Sequence, residues 1–230
     1  MYVLSAMDSF WIDPPPANDP TRTVRLWDAV IAHLQPASRR VVRPLRRARI
    51  LVRTMTDVDI VPAVWGLVPS WAAAGERREV AARHGLLDAE MVPGSSVTGE
   101  LWAADQPPRR CLIPATGWTA TGSFSVLSFQ PETAPVTFAG LCNLVVVNGK
   151  AVITFGVFYR TKSVDPYNGT RVPVVVRLED RARWLRCSPG EARGMLRSPN
   201  MRVVANAVRT AGTGDEAFYG PGYVDTELAS

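Results

Sequence analysis

Few residues in this sequence could carry nucleophilic or metal chemistry. The chain has 230 residues, with two histidines, His33 and His84, and three cysteines, Cys111, Cys142 and Cys187. A catalytic cysteine needs a base within hydrogen-bond reach, and a zinc site needs closely spaced cysteine and histidine ligands. Neither pattern is present, so we expect no metal site and no cofactor.

Motifs of the common nucleotide-binding and hydrolytic enzymes are also missing. The sequence has no glycine-rich phosphate loop of either standard form and no Gly-x-Ser-x-Gly turn. The carboxylates of Asp57, Asp59 and Glu132 stand in turn-like or strand-edge contexts, without the spacing of a general acid and base. Cys111 falls in an apolar strand, which is typical of a buried thiol. ATP-dependent, dinucleotide-dependent and serine hydrolase functions therefore have little support.

Arginine dominates the positive charge of the chain. It supplies 24 of the 26 cationic side chains, the net charge is +5, and seven arginines fall in residues 38–53, where no acidic residue occurs. The planar guanidinium pairs with phosphate and stacks on bases, so this run could bind nucleic acid. Two alternatives stay open: a GC-rich genome could account for the composition, and the run could be a solvated face.

Two tryptophans, Trp65 and Trp71, flank Gly66 and Pro69 in a short segment that leaves a predicted strand. Such a pair either fills the core or forms an aromatic platform at the surface. In the second case an unpaired base would stack on the tryptophans while the arginine run holds the phosphates.

The elements that must position these residues are mostly strands. Short β-branched and aromatic runs fill the second half of the chain, and the Asn148-Gly149 pair predicts a tight hairpin. We predict an α+β fold, a single domain over residues 1–230 with a mostly antiparallel, β-barrel-like core and peripheral helices. The predicted strands are 2–6, parts of 38–53, 61–68, 110–113, 122–129, 136–144, 151–158, 172–178 and 201–208, and the predicted helices are 23–34, 72–87, 179–185 and 189–196.

The sequence shows no signal peptide and no apolar run of about 18 residues that could span a membrane. Three cysteines at irregular spacing do not form a disulfide framework. We therefore predict a cytoplasmic protein without a membrane partner.

Four motifs in chain order resemble those of the SOS-response-associated peptidase (SRAP) family. They are Trp-Gly-Leu-Val-Pro-Ser-Trp-Ala at 65–72, Arg-Cys-Leu-Ile-Pro-Ala-x-Gly-Trp at 110–118, Phe-Ala-Gly-Leu at 138–141, and Arg-Val-Pro-Val-Val at 171–175 followed by Trp184-Leu185. The resemblance is clearest over 60–185. It implies an α+β fold around a barrel-like core, with a positively charged groove for single-stranded DNA. It also implies action at abasic sites, where a cysteine at position two captures the sugar aldehyde as a thiazolidine with help from an Asn, a Glu and a His.

The chemical positions of that family are changed in this chain. Tyr2 stands where the family has its nucleophilic cysteine, and Ala120 stands where it has its glutamate. Residues 167–170, directly before Arg171, contain no histidine, and no clear match to the family's Asn-Ala-Arg motif occurs. The resemblance therefore predicts a diverged member that lacks the crosslinking chemistry.

We predict from these observations a single-stranded DNA-binding protein. One alternative is a residual abasic-site lyase or peptidase-like enzyme that uses Tyr2, Thr119 or the amine of Met1. Another is a non-catalytic domain of prophage origin that binds a protein partner. The candidate nucleic-acid contacts are Arg43, Arg46, Arg47, Arg49, Arg53, Trp65, Pro69, Trp71, Trp118 and Arg171.

Overall fold

The structure is a computed structural model that describes residues 6–12, 40–55, 57–90, 108–121, 126–131, 135–165, 168–197 and 203–208. It contains thirteen strands in these residues, which are β1 Ala6–Ile12, β2 Arg40–Val42, β3 Arg47–Arg53, β4 Val58–Trp65, β5 Leu86–Asp88, β6 Arg109–Ala115, β7 Gly117–Thr121, β8 Val126–Pro131, β9 Val136–Val147, β10 Lys150–Asp165, β11 Asn168–Pro173, β12 Val175–Val176 and β13 Val203–Val208. Its three described α-helices are α1 Arg77–Arg83, α2 Arg181–Arg186, which follows a single 3-10 turn at Leu178–Asp180, and α3 Pro189–Arg197.

Five of the strands close into a barrel. Strand β3 pairs with β4 and β6, β6 pairs with β9, and β9 pairs with β10, all antiparallel. The parallel pairing of β10 with β4 completes the circle. The predicted α+β fold with a mostly antiparallel, barrel-like core is therefore confirmed.

Alternation along the barrel strands separates two apolar cores. Ile50, Phe138 and Phe155 point inward and form the barrel interior. Leu51 and Leu112 point outward and pack beneath α2 and α3, against residues that include Trp184. Strand β6 is buried on both faces from Cys111 to Ala115, so its sequence there reads as a continuous apolar run.

A second sheet, in the order β13-β8-β7-β1-β2, packs against the barrel interior. Phe10 of β1 and Trp118 of β7 are fully buried there, and both rings contact Phe138 edge to face, at 6.1 and 5.7 Å. Aromatic pairs at this separation add to the stability that burial alone provides. The two sheets therefore share one core.

The β9–β10 hairpin extends beyond the barrel. Asn148 and Gly149 both have positive φ, at 50° and 74°, which matches the predicted tight turn. Past Cys142, β9 has no strand partner on its outer edge among the described residues. There the Asn143 side chain accepts a hydrogen bond from the Leu144 amide, and the Arg77 guanidinium donates one to the Val146 carbonyl.

Several predicted boundaries are wrong. The predicted helix at 72–87 is a single short helix, α1, followed by strand β5, because tight backbone turns occupy 69–76 and a partner strand is available to 86–88. The first described strand is Ala6–Ile12, which pairs with β7 and β2, whereas residues 2–5 of the predicted first strand fall outside the described residues. The predicted helix at 23–34 falls outside the described residues. No helix in the described part of the chain has the length and apolar character needed to cross a membrane.

Candidate nucleic-acid interface

The arginine run of residues 38–53 divides into two groups. Arg43 and Arg46 belong to the turn between β2 and β3, whose closing hydrogen bond runs from the Arg46 amide to the Arg43 carbonyl at 3.1 Å. Arg47, Arg49 and Arg53 project from the outer face of β3, because the intervening Ala48 and Ile50 fill the barrel interior. All five side chains are exposed, which a phosphate contact requires.

The turn at residues 43–46 is held in a strained conformation. Leu45 has a φ of 62°, a left-handed conformation that costs an ordinary residue about 1–2 kcal/mol. Two hydrogen bonds to Trp65 hold it: the Leu45 amide donates to the Trp65 carbonyl at 2.7 Å, and the Trp65 amide donates to the Arg46 carbonyl at 3.0 Å. Such strain persists where the surroundings fix the backbone, and it is common at functional sites.

Trp65 and Trp118 are not available to a nucleic acid. Both side chains have 0% exposure, and the Trp65 indole donates to the Gly85 carbonyl at 2.7 Å inside the core. Pro69 is buried as well. Their prediction as contacts is therefore wrong, because these side chains pack the interior that the motif strands share.

Trp71 differs from Trp65, since 58% of its side chain is exposed. It lies in a segment, residues 66–72, that has no regular secondary structure but is fixed by hydrogen bonds to its neighbours. The Gly66 amide donates to the Phe155 carbonyl at 2.7 Å, and the Leu67 amide donates to the His84 carbonyl at 3.3 Å. An exposed indole on a fixed segment can stack on an unpaired base at little ordering cost.

The buried side chain of Thr154 and the half-buried side chain of Asn143 also hold the segment that carries Trp71. The Asn143 amide group donates to the Val68 carbonyl at 2.9 Å, and the Val68 amide donates to the Thr154 hydroxyl at 3.0 Å. Both residues belong to the barrel strands β9 and β10. No residue type or spacing marks this network in the sequence, so it could not be predicted.

Arg171 lies apart from these residues. It faces Thr161 across the β10–β11 pair, whereas Trp65 faces Phe155 across the β10–β4 pair. Six residues of β10 separate the two positions, which is about 20 Å at the rise of an extended strand. The Arg171 guanidinium stacks on the Tyr159 ring at 4.9 Å.

Two acidic residues lie close to the Tyr159 ring. Burial raises the pKa of Tyr159, Arg171 lowers it, and Asp88 and Glu90 raise it. Arg171 therefore stacks on a ring that also has acidic neighbours, and it is not an extension of the arginine run.

Tyr2 and Ala120 stand at the positions where the resemblance places the family's cysteine and glutamate. Tyr2 falls outside the described residues. Ala120 lies in β7, opposite Met7 of β1 and Leu127 of β8. Within the described part of the chain, no three side chains of His, Cys, Asp or Glu gather closely enough to bind a metal ion.

The sequence motifs contact one another across the barrel and its helical cover. The Arg110 guanidinium donates to the Trp184 carbonyl at 2.6 Å and to the Cys187 carbonyl, at the end of α2. The Trp184 indole donates in turn to the Cys111 carbonyl at 2.9 Å. Gly140 leaves no room for a side chain, because a Cβ there would lie 2.6 Å from the Gly156 carbonyl oxygen. These motif residues therefore stabilise the fold.

Comparison with known proteins agrees with this fold. A protein from Bordetella bronchiseptica, known from a crystal structure, aligns with a TM-score of 0.62 and 18% identity over 88% of this chain and 100% of its own. A crystal structure of a protein from Bacteroides thetaiotaomicron aligns with a TM-score of 0.59 and 17% identity over 80% of this chain and 82% of its own. Identities this low show a shared fold only.

At the level of sequence, the chain matches a family model but no curated protein. The model of the SOS response associated peptidase (SRAP) family matches residues 18–211, a range that includes all four motifs, the arginine run, Ala120 and Arg171. The chain therefore belongs to the SRAP family.

Proposed function

We propose that this SRAP-family protein binds single-stranded DNA and lacks the thiazolidine crosslinking chemistry. The observation that carries the proposal is that an exposed indole, Trp71, lies on a segment beside the turn that holds Arg43 and Arg46. The backbone of this turn is hydrogen-bonded to Trp65, and the Trp71 segment starts at the next residue, Gly66. Aromatic stacking on bases combined with cationic contacts to phosphates is the general mode of single-strand binding.

The contacts that support this proposal are fewer than those predicted from the sequence. The outward arginines of β3, which are Arg47, Arg49 and Arg53, extend the positive surface from the turn along the barrel. Phosphate contacts carry no base information, so we expect binding with little sequence preference. Arg171 is a separate cation, about 20 Å along β10 from the position that faces Trp65.

A cytoplasmic location and a single domain over residues 1–230 stay predictions.

Equilibrium binding of a fluorescently labelled single strand tests the proposal. At about 50 mM salt we expect saturable binding, and Trp71→Ala should weaken it by about 5- to 100-fold, the range for losing one stacked base. Met55→Ala is the matched control, because Met55 is an exposed apolar side chain at the β3–β4 turn. Equal affinity of wild type and Trp71→Ala, or no binding at low salt, would refute the proposal.

Denaturing electrophoresis with an abasic single strand tests the loss of crosslinking. Without a thiol at position two, no thiazolidine forms, so we expect no band of stable protein–DNA adduct. Borohydride reduction in a parallel sample would trap an imine formed by an amine of the protein. A trapped adduct would favour the residual lyase instead.

A protein-binding role is the second candidate, and one observation favours it. The β9–β10 hairpin exposes apolar side chains, with Leu144 63% and Val146 57% exposed. Exposed apolar side chains grouped on one element often mark contacts with other proteins. Leu144→Ser combined with Val146→Ser would leave single-strand binding unchanged if the DNA surface is the one proposed.

A further inference from the structure

The environment of Trp71 includes one buried histidine. The Trp71 and His84 rings meet nearly edge to face, with centroids 6.3 Å apart and planes at 81°. This separation is within the range of attractive aromatic pairs. An edge-to-face contact uses at most one face of the indole, which agrees with the high exposure of Trp71 and leaves the other face open.

His84 is an unusual residue for its location. It lies at the end of α1 with 8% exposure, and its Nδ1 atom has no hydrogen-bond partner in the described part of the chain. A buried polar atom without a partner costs about 1–3 kcal/mol. Burial lowers the pKa of His84, and Arg83 lowers it further, so the neutral ring is favoured near pH 7. An apolar side chain would fill this position without either cost.

The backbone of His84 is already part of the same arrangement. Its carbonyl accepts the hydrogen bond from the Leu67 amide, and its amide donates to the Val80 carbonyl at 3.0 Å. The backbone at position 84 therefore fixes the start of the segment, while the imidazole contacts the indole near its end. Main chain and side chain of one residue hold the two ends of this short segment.

We propose that His84 is the positioning residue of Trp71, with its ring setting the orientation in which the exposed indole meets an unpaired base. This inference rests on the single-strand binding proposed above. It assigns to His84 no contact with DNA and no proton transfer. The residue acts through Trp71 alone, so its effect on DNA affinity should vanish when Trp71 is removed.

A readout without DNA tests the positioning itself. Protein labelled with 5-fluorotryptophan gives one ¹⁹F resonance for each of its seven tryptophans. The resonance that disappears in Trp71→Phe belongs to Trp71. In His84→Ala and His84→Gln we expect that resonance to shift or broaden while the others keep their positions. In His84→Phe, which keeps an aromatic ring, it should stay sharp. A Trp71 resonance that is unchanged in His84→Ala would overturn the inference, whatever the DNA measurements give.

The DNA readout is a double-mutant cycle with the labelled single strand. We expect His84→Ala to weaken binding by about 3- to 10-fold in the wild-type background and by less than twofold in Trp71→Ala. His84→Phe should bind within twofold of wild type. An equal loss in both backgrounds would mean a general structural effect and would overturn the inference.

The two proposals fail in different ways. If wild type does not bind single strands, the proposed function falls while the ¹⁹F result still decides whether His84 orients Trp71. If wild type binds and Trp71→Ala weakens binding, an unchanged affinity in His84→Ala removes only the role of His84.

Discussion

Neutralising the arginine turn should reduce the salt dependence of DNA binding by a calculable amount. Each phosphate contact to a single strand contributes about −0.7 to the slope of log K against log salt. If Arg43, Arg46, Arg47, Arg49 and Arg53, all exposed, each neutralise one phosphate, the slope is about −3.5. Between 50 and 200 mM salt the affinity then falls about 100-fold.

The variant Arg43→Ala with Arg46→Ala removes two of these contacts. Its slope should be about −2.1, and its affinity should fall only about 20-fold over the same salt range. The assay is anisotropy of a labelled single strand at four or more salt concentrations. The control is Arg186→Ala with Arg197→Ala, which removes the same charge from exposed positions on α2 and α3. A turn variant with the wild-type slope, or a control that loses as much slope, would refute the assignment.

Three predictions concern stability. Gly66→Ala should destabilise the protein by at least 2 kcal/mol, because Gly66 has a φ of 136° and a Cβ would lie 2.7 Å from the Ala81 carbonyl oxygen. Gly75→Ala, which meets nothing within 4 Å, should change the free energy of unfolding by less than about 0.5 kcal/mol in the same urea titrations. Arg110→Met should cost about 2–4 kcal/mol, since it leaves carbonyl groups at the end of α2 without their charged donor, and calorimetry should show a lower Tm. The pKa of His84 is lowered by folding, so below about pH 6.5 the unfolded chain holds more protons, and the free energy of unfolding should fall as pH drops. His84→Phe should lack that part of the fall, and identical pH profiles would contradict the assignment.

The fold was largely predictable because its signals are local. The Asn148-Gly149 pair carries its own turn conformation, and both residues have the positive φ that the pair favours. Ser188 and Glu191 form reciprocal hydrogen bonds at the start of α3, as the spacing of a hydroxyl and a glutamate three residues later predicts. Such signals need no knowledge of distant contacts.

The site was less predictable because it depends on distant contacts. The two tryptophans of one motif look alike in sequence, yet Trp65 is buried and Trp71 is exposed. Strand β4 ends at Trp65, and the next residue, Gly66, has a positive φ of 136°. The partners of the Trp71 segment, Asn143 and Thr154, lie more than 70 residues away, so spacing along the chain could not reveal them.

The outer edge of β9 has a consequence for behaviour at high concentration. An uncovered strand edge beside apolar side chains, as at Leu144 and Val146, is a template on which another chain can add a strand. Here the Leu144 amide already donates a hydrogen bond to the Asn143 side chain, and the Val146 carbonyl already accepts one from the Arg77 guanidinium. These two contacts use backbone groups that an added strand would need. We therefore expect Asn143 of the hairpin and Arg77 of α1 to hinder self-association through this edge.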